Sequence, residues 1–211
     1  MNAPERYKSF AAAVIARYES TTPSSSPADP EEVVEVVRHE MEANLAAVSP
    51  KNCGITKITA VRIGWDEEAA EDFEAYVGLP GPLFRLDGHD RDGLRPLRIQ
   101  LLFMDSDIHV TFILTPGHDA SSIYYGQKRT CRHAAVVLGL FGLSVIRLHA
   151  HGYRRIIDTP IDDNVRKLYT RMGFDNGEVL DLGDRGRIRT LVDFVVRSIT
   201  PFKLDPSPLR Y

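Results

Sequence analysis

The stretch "DDNVRKLYTRMGFD", Asp162 to Asp175, carries the pattern of a short amphipathic helix that ends at a glycine followed by an aromatic residue. Val165, Leu168, Tyr169 and Met172 recur at i, i+3, i+4 and i+7, so one face is expected to be buried and Tyr169 lies on it. Asp162 or Asp163 can cap the start, because each offers a carboxylate to free backbone N–H groups. Gly173 can adopt the left-handed conformation that stops the helix. A tyrosine in such a stripe is either core packing or a phenol aimed at a partner, and the surrounding chain has to decide.

Working outward, the segment before this helix, "SVIRLHA" (Ser144 to Ala150), is expected to be a strand, preceded by a long, mostly helical stretch from Ala120 to about Leu140 that closes at "FGLS". Pro116 and Gly117 end an earlier strand, Ile108 to Thr115, which "DSD" joins at hairpin spacing to Leu97 to Met104. Leu83 to Leu86 and "GITKITAVRIGW" (Gly54 to Trp65) are further strands, with "DEEAAEDFEAYVG" (Asp66 to Gly78) helical between them. After the quoted helix, strands are expected near Glu178 to Leu182 and Leu191 to Ser198. The order predicts an α+β fold: a mixed, mostly antiparallel sheet with helices on both faces. Asp29 and Pro30 open a helix lasting to about Val48, and residues 5 to 18 form another, with "STTPSSSPADP" between them reading as a flexible linker. The expected organisation is a helical N-terminal segment over 1–50 with a Ser/Pro-rich linker at 20–30, a domain over 51–200, and a tail over 201–211. The sequence contains no internal repeat.

Composition restricts the function classes. With 43% hydrophobic and 26% charged residues the chain is ordinary globular protein, and 26 basic against 29 acidic residues give a net charge of −3. That balance supplies no general field for nucleic acid or anionic membrane, so neither is expected as a partner. Cys53 and Cys131 form no CxxC pair and are expected to be reduced thiols. No apolar run approaches the roughly 20 residues of a membrane span, and "FAAAVIARY" lacks a basic leader, so a cytoplasmic protein is expected.

The element order over about residues 97 to 198, and above all "VRKLYTRMGF", resembles the GNAT-type N-acetyltransferases. Their last block runs Asn-x-x-Ala-x-x-x-Tyr-x-x-x-Gly-Phe with a leucine before the tyrosine. Leu168, Tyr169, Gly173 and Phe174 match in register, while Asp162 and Val165 replace the asparagine and the alanine. The resemblance implies an acyl-CoA N-acyltransferase fold, acetyl-CoA as co-substrate, and an amine-bearing small molecule or protein as acceptor. It also implies that Tyr169 protonates the departing coenzyme A thiolate. The spacing from Pro116 to Val145 is about what that family's cofactor helix requires. The family's glycine-bearing pyrophosphate loop is replaced here by "DASSIY" (Asp119 to Tyr124), with an acidic residue at the basic position, or, in a second and less favoured alignment, by "RTCRHA" (Arg129 to Ala134), with Arg132 where the first glycine belongs.

Other residues offer chemistry that fits this implication. Gly117, His118, Ser121 and Ser122 follow a strand and precede a helix, where amides and hydroxyls can hold a phosphate or simply cap the helix. Lys128, Arg129 and Arg132 form a basic turn suited to a terminal phosphate of coenzyme A, or a solvated helix face. His149 and His151 alternate on the expected fifth strand, where the family's sheet splays to admit the acyl chain, and either can act as general base. His109, with Asp107, is the base candidate on the preceding strand, or else a core histidine. "DGHDRDG" (Asp87 to Gly93) lacks calcium-loop spacing and reads as a solvated hairpin loop, and no metal site is expected anywhere in the chain. Two functions remain: an N-acyltransferase using acetyl-CoA, or a binding or regulatory protein on the same fold that does not use coenzyme A.

Overall fold

The computed structural model describes residues 3–48, 55–64, 81–90, 97–114 and 130–199, with backbone alone at 3, 4, 114 and 130–135. Two helices come first, α1 (Ala3–Glu19) and α2 (Pro30–Ala47), followed by strands β1 (Lys57–Ile63), β2 (Leu83–His89), β3 (Leu97–Met104) and β4 (Asp107–Leu114). Helix α3 (Thr130–Val145), a 3-10 turn (Ile146–His151), β5 (Arg155–Asp158), α4 (Asp163–Arg171), β6 (Val179–Asp181) and α5 (Arg185–Ile199) complete the order. The fold is α+β, with a six-stranded mixed sheet and five α-helices among the described residues. The helix expected over Asp66 to Gly78 and the tail expected over 201–211 lie outside those residues.

The strands follow one another across the sheet in chain order, antiparallel everywhere except between β4 and β5. A hairpin suffices for the antiparallel neighbours, whereas the parallel pair needs a crossover, which includes α3. Leu97, Ile99, Leu101 and Phe103 alternate on β3 and all enter the main apolar cluster, together with Ile108, Val110 and Ile156 from the next two strands. Helices α1, α2, α3 and α5 supply the rest of that cluster, including Phe10, Met41, Leu140 and Val195. On the other face of the sheet, Leu83 and Leu102 form a small second cluster.

Several elements differ from expectation. "SVIRLHA" is not a strand: Ser144 closes its hydroxyl onto the Leu140 carbonyl inside α3 at 2.8 Å, and Ile146 begins the 3-10 turn. The fifth strand is Arg155–Asp158 instead. Short apolar runs do not distinguish buried strand from buried helix, and here tertiary packing selected the helix. Leu191 to Ser198 is likewise helical, since Ile188, Leu191, Val192, Val195 and Ile199 are buried at spacings of one helix face despite their β-branched content. Nor does "FGLS" end α3. Gly139 and Gly142 are contact points, because a Cβ on either would stand 2.9 Å from Val195 or Leu191 of α5. Gly142→Val is expected to lose about 2 kcal/mol by overpacking this helix contact, measurable as a lower urea midpoint. An unchanged midpoint would show that the two helices are not this close.

The N-terminal helix packs against the rest of the fold. Tyr7, Phe10 and Tyr18 are buried in the main cluster, and the Tyr18 hydroxyl donates to the Leu182 carbonyl at 2.8 Å. The Ser/Pro-rich segment is laid against the 3-10 turn: the Ser24 and Ala28 amides donate to the carbonyls of His149 and His151 at 3.1 and 2.8 Å. Tyr153 adds a third tie, from its hydroxyl to the Ala28 carbonyl. Proline and serine in this stretch remove helix propensity, but the backbone polar groups they free are satisfied by the domain rather than by water.

Candidate functional site

Helix α4 forms as its sequence requires. Asp162 accepts from the Asn164 and Val165 amides at 2.7 and 2.8 Å, satisfying donors that the first turn leaves open. At the other end Gly173 has φ of 99°, and the Phe174 and Gly173 amides donate back to the carbonyls of Tyr169 and Thr170. This is a Schellman cap, in which a hydrophobic contact commonly joins the residues that the two ends bring together. Here that contact is Tyr169 on Phe174, stacked with ring centroids 5.3 Å apart. The cap therefore fixes the Tyr169 ring, and by itself accounts for the spacing of tyrosine, glycine and phenylalanine in the quoted stretch.

The place to which α4 delivers Tyr169 is a fork in the sheet. Strands β4 and β5 pair from Asp107 with Arg155 to Val110 with Asp158. Beyond that point β4 continues to Leu114 beside β3, its one neighbour among the described strands there, while the chain leaves β5 through Thr159 and Pro160. A bulge lies just past the fork: Leu101 faces Val110 and Gln100 faces Phe112, leaving Thr111 without a partner across β3. Thr111 is buried, with its hydroxyl 3.5 Å from the Gln100 side-chain oxygen.

Asp158, the last residue of β5, is buried at this fork, close enough to the Tyr169 phenol for each to shift the other's titration. Burial pushes the Asp158 carboxyl up to about 6, against the opposing pull of hydrogen bonds from Tyr169 and from the Thr159 amide. Tyr169 is pushed far above the usual phenol range, first by burial and then by the negative charge of Asp158 and the hydrogen bond to it. Two acids thus share a buried site: the phenol eases loss of the Asp158 proton, and the carboxylate so formed opposes loss of the phenol's. Asp158 was not singled out from the sequence. Its only signal is an acidic residue that closes "RIID" ahead of Thr-Pro.

The other expected residues are placed as follows. His109 is on β4 beside Ile157, one step before the fork, so it lies on the opposite sheet face from Asp158. Burial lowers its pKa, partly countered by Asp107 and reinforced by Arg155, which keeps the imidazole neutral at pH 7. Asp107 itself is gripped by Arg155 through two nitrogens. His149 is not on a strand and not at the fork. It sits buried in the 3-10 turn, Nδ1 2.9 Å from the Ile146 carbonyl and its ring 4.8 Å from that of Tyr18. Tyr18 binds the Leu182 carbonyl, and the Leu182 amide binds that of Arg154, which places His149 near the start of β5, roughly 13 Å along the strand from Asp158. The shared strand face expected for His149 and His151 does not exist. Gly117, His118, Ser121, Ser122, Lys128 and Arg129 lie outside the described residues, and Arg132 falls in the first turn of α3.

Asp87 is not a solvated loop residue: it is buried, with Arg85 Nε at 2.8 Å and Arg98 Nε at 3.3 Å. Among the described residues no group of His, Cys, Asp or Glu is arranged to hold a metal ion, and no helix is long and apolar enough to cross a membrane. An open groove of about 800 Å³ lies between α4 and the start of α5, lined in part by Arg166, Asp184 and Arg187. Its charges are already matched, Arg187 to Asp175 and Asp184, and Arg166 to Glu178, so volume is a poorer guide here than the buried pair at the fork. Comparison with protein-family models and with curated protein sequences finds no match.

Proposed function

We propose that the chain is an acyl-CoA-dependent N-acyltransferase that moves an acetyl group from acetyl-CoA to an amine, with the reaction centred on the β4/β5 fork. The observation that carries this reading is the presence of the Tyr169 phenol where a parallel strand pair parts. Past the fork, β4 is paired with β3 and not with β5. The segment between β4 and α3, with Gly117, His118, Ser121, Ser122, Lys128 and Arg129, together with Arg132 in the first turn of α3, is then the proposed place for the phosphates. Tyr169 supplies a proton to the departing thiolate, and neutral His109, on the other sheet face, accepts one from the incoming amine. On this reading leaving group and nucleophile are served from opposite faces of the sheet, at the place where β4 and β5 part.

A second reading is favoured by one observation: the Schellman cap, with its Tyr169–Phe174 stack, alone explains the tyrosine's position. On that reading the protein is a binding or regulatory module that does not use coenzyme A. Calorimetric titration with acetyl-CoA separates the two. Binding with a rise in melting temperature is expected, since a ligand held only by the folded state stabilises it by mass action. No heat and no shift at about millimolar cofactor would leave the second reading. In the enzyme, Tyr169→Phe keeps its stack on Phe174 yet turns over about tenfold more slowly or worse, through loss of the proton donor. Equal turnover would reduce Tyr169 to a core residue.

A further inference from the structure

Three helical elements meet where two arginines share one carboxylate. Arg17, in the last turn of α1, sets both terminal nitrogens on Glu40 of α2, at 2.9 and 2.6 Å, the forked geometry a guanidinium makes with a carboxylate. Arg147, in the 3-10 turn that follows α3, adds Nη1 to Glu40 Oε1 at 3.1 Å. Glu40, a side chain only 17% exposed, thus already accepts three hydrogen bonds. The inner nitrogen of Arg147 is left over: its Nε is buried and has no hydrogen-bond partner among the described residues. A buried charged donor without an acceptor is costly, so its presence in a fold points to a group that is received there.

The same residues enclose a small cavity. It offers about 20 Å³, with Leu143 and Ile146 on its apolar side and Arg17, Glu40, Asn44 and Arg147 among its lining. That is room for one water-sized atom, and too little for a phosphate, a carboxylate or any organic molecule. Asn44 is buried and its amide nitrogen is committed, to Ser144 Oγ at 3.1 Å and the Leu140 carbonyl at 3.4 Å. Glu40 is the only acid among the described lining residues, so two guanidinium charges face one carboxylate charge.

We propose that this cavity is a binding site for a single chloride ion, held by Arg147 Nε and by the positive charge that Glu40 leaves uncancelled. The proposal does not depend on the acyltransferase reading. A monatomic anion accepts hydrogen bonds and brings none to give, which suits a surplus of donors, whereas a water molecule adds two donors to it. The apolar side of the cavity favours an ion that gives up its hydration readily, which separates chloride and bromide from the tightly hydrated fluoride. The ion is then a structural ligand at the place where α1 joins α2 and the turn after α3. An ion-pair network alone has the opposite response to salt, because any salt screens it and weakens it.

The test compares the melting temperature of the full chain in sodium chloride and in sodium gluconate at equal ionic strength, which matches screening and changes only the anion. Chloride is expected to raise Tm by about 3 °C over gluconate, along a curve that saturates as the site fills. Bromide is expected to replace chloride in this, and fluoride is not. Arg147→Lys keeps the positive charge but has no Nε, and is expected to lose the difference between the two salts. Glu40→Gln removes the competing negative charge, and its half-saturating chloride concentration is expected to fall about tenfold or more. Equal melting curves in chloride and gluconate overturn the proposal. So does an Arg147→Lys chain with the wild-type chloride response, or a Glu40→Gln chain with unchanged half-saturation, since either places the anion elsewhere. Anomalous scattering from wild-type crystals grown in bromide needs no variant. A bromide within hydrogen-bond distance of Arg147 Nε is expected, and a water there, or no atom at all, overturns the proposal.

Discussion

Asp158→Asn is expected to gain stability over the wild-type chain as pH rises from about 4 to about 6, by about 3 kcal/mol in all. The sign follows from the direction of the shift. Burial raises the folded-state pKa of Asp158 above its unfolded value, so the folded chain keeps a proton that the unfolded chain has already lost. Its contribution is fully present below the unfolded pKa, falls as pH rises through the interval between the two values, and is flat above about 6. Asparagine imitates the neutral acid at every pH and has nothing to lose. A buried amide brings an extra donor, which shifts the variant's whole curve, so the diagnostic quantity is the change in the difference with pH and not the difference at one pH. Urea unfolding of both proteins across the interval measures it. A constant difference would show that Asp158 is already ionised in the fold.

The second large effect is at Gly152, which closes the 3-10 turn with φ of 82°. A Cβ there would stand 2.0 Å from the Ser26 carbonyl oxygen and 2.2 Å from its carbon, both backbone atoms that no rotamer change can move aside. Gly152→Ala must therefore lift the segment that crosses it and break the bonds from the Ser24 and Ala28 amides to His149 and His151. Two hydrogen bonds and a left-handed alanine together cost roughly 4 kcal/mol. Guanidinium unfolding tests this, and a loss below about 1 kcal/mol would mean that the segment does not rest on Gly152 in solution.

What could be read from the sequence was local. Asp29 and Pro30 capped α2 as their chemistry dictates, and Asp162 and Gly173 bounded α4, because caps depend on residues within one turn. The β3/β4 hairpin was equally legible. Elements whose identity depended on distant partners were not. Gly142, in the "FGLS" expected to close α3, is a contact point for α5, and the β-branched residues of α5 read as strand although its period is helical. The site was half legible for the same reason. Tyr169 announced itself by its place in a helical stripe, whereas Asp158 gains its character only from burial among strands that the local sequence does not specify. His149 was misplaced because its strand was.

The bond from the Tyr18 hydroxyl to the Leu182 carbonyl spans 164 positions, and the Arg189–Glu19 pair ties the same two regions. During synthesis the first helix is therefore made long before the surface that covers its apolar face, and it must wait, exposed, for nearly the whole domain to follow. Contacts this remote are costly to close early and favour a late, slow step in folding. Until residues near 182 emerge, α1 is a free amphipathic segment, and holding it apart from other chains falls to its own charged face or to a chaperone.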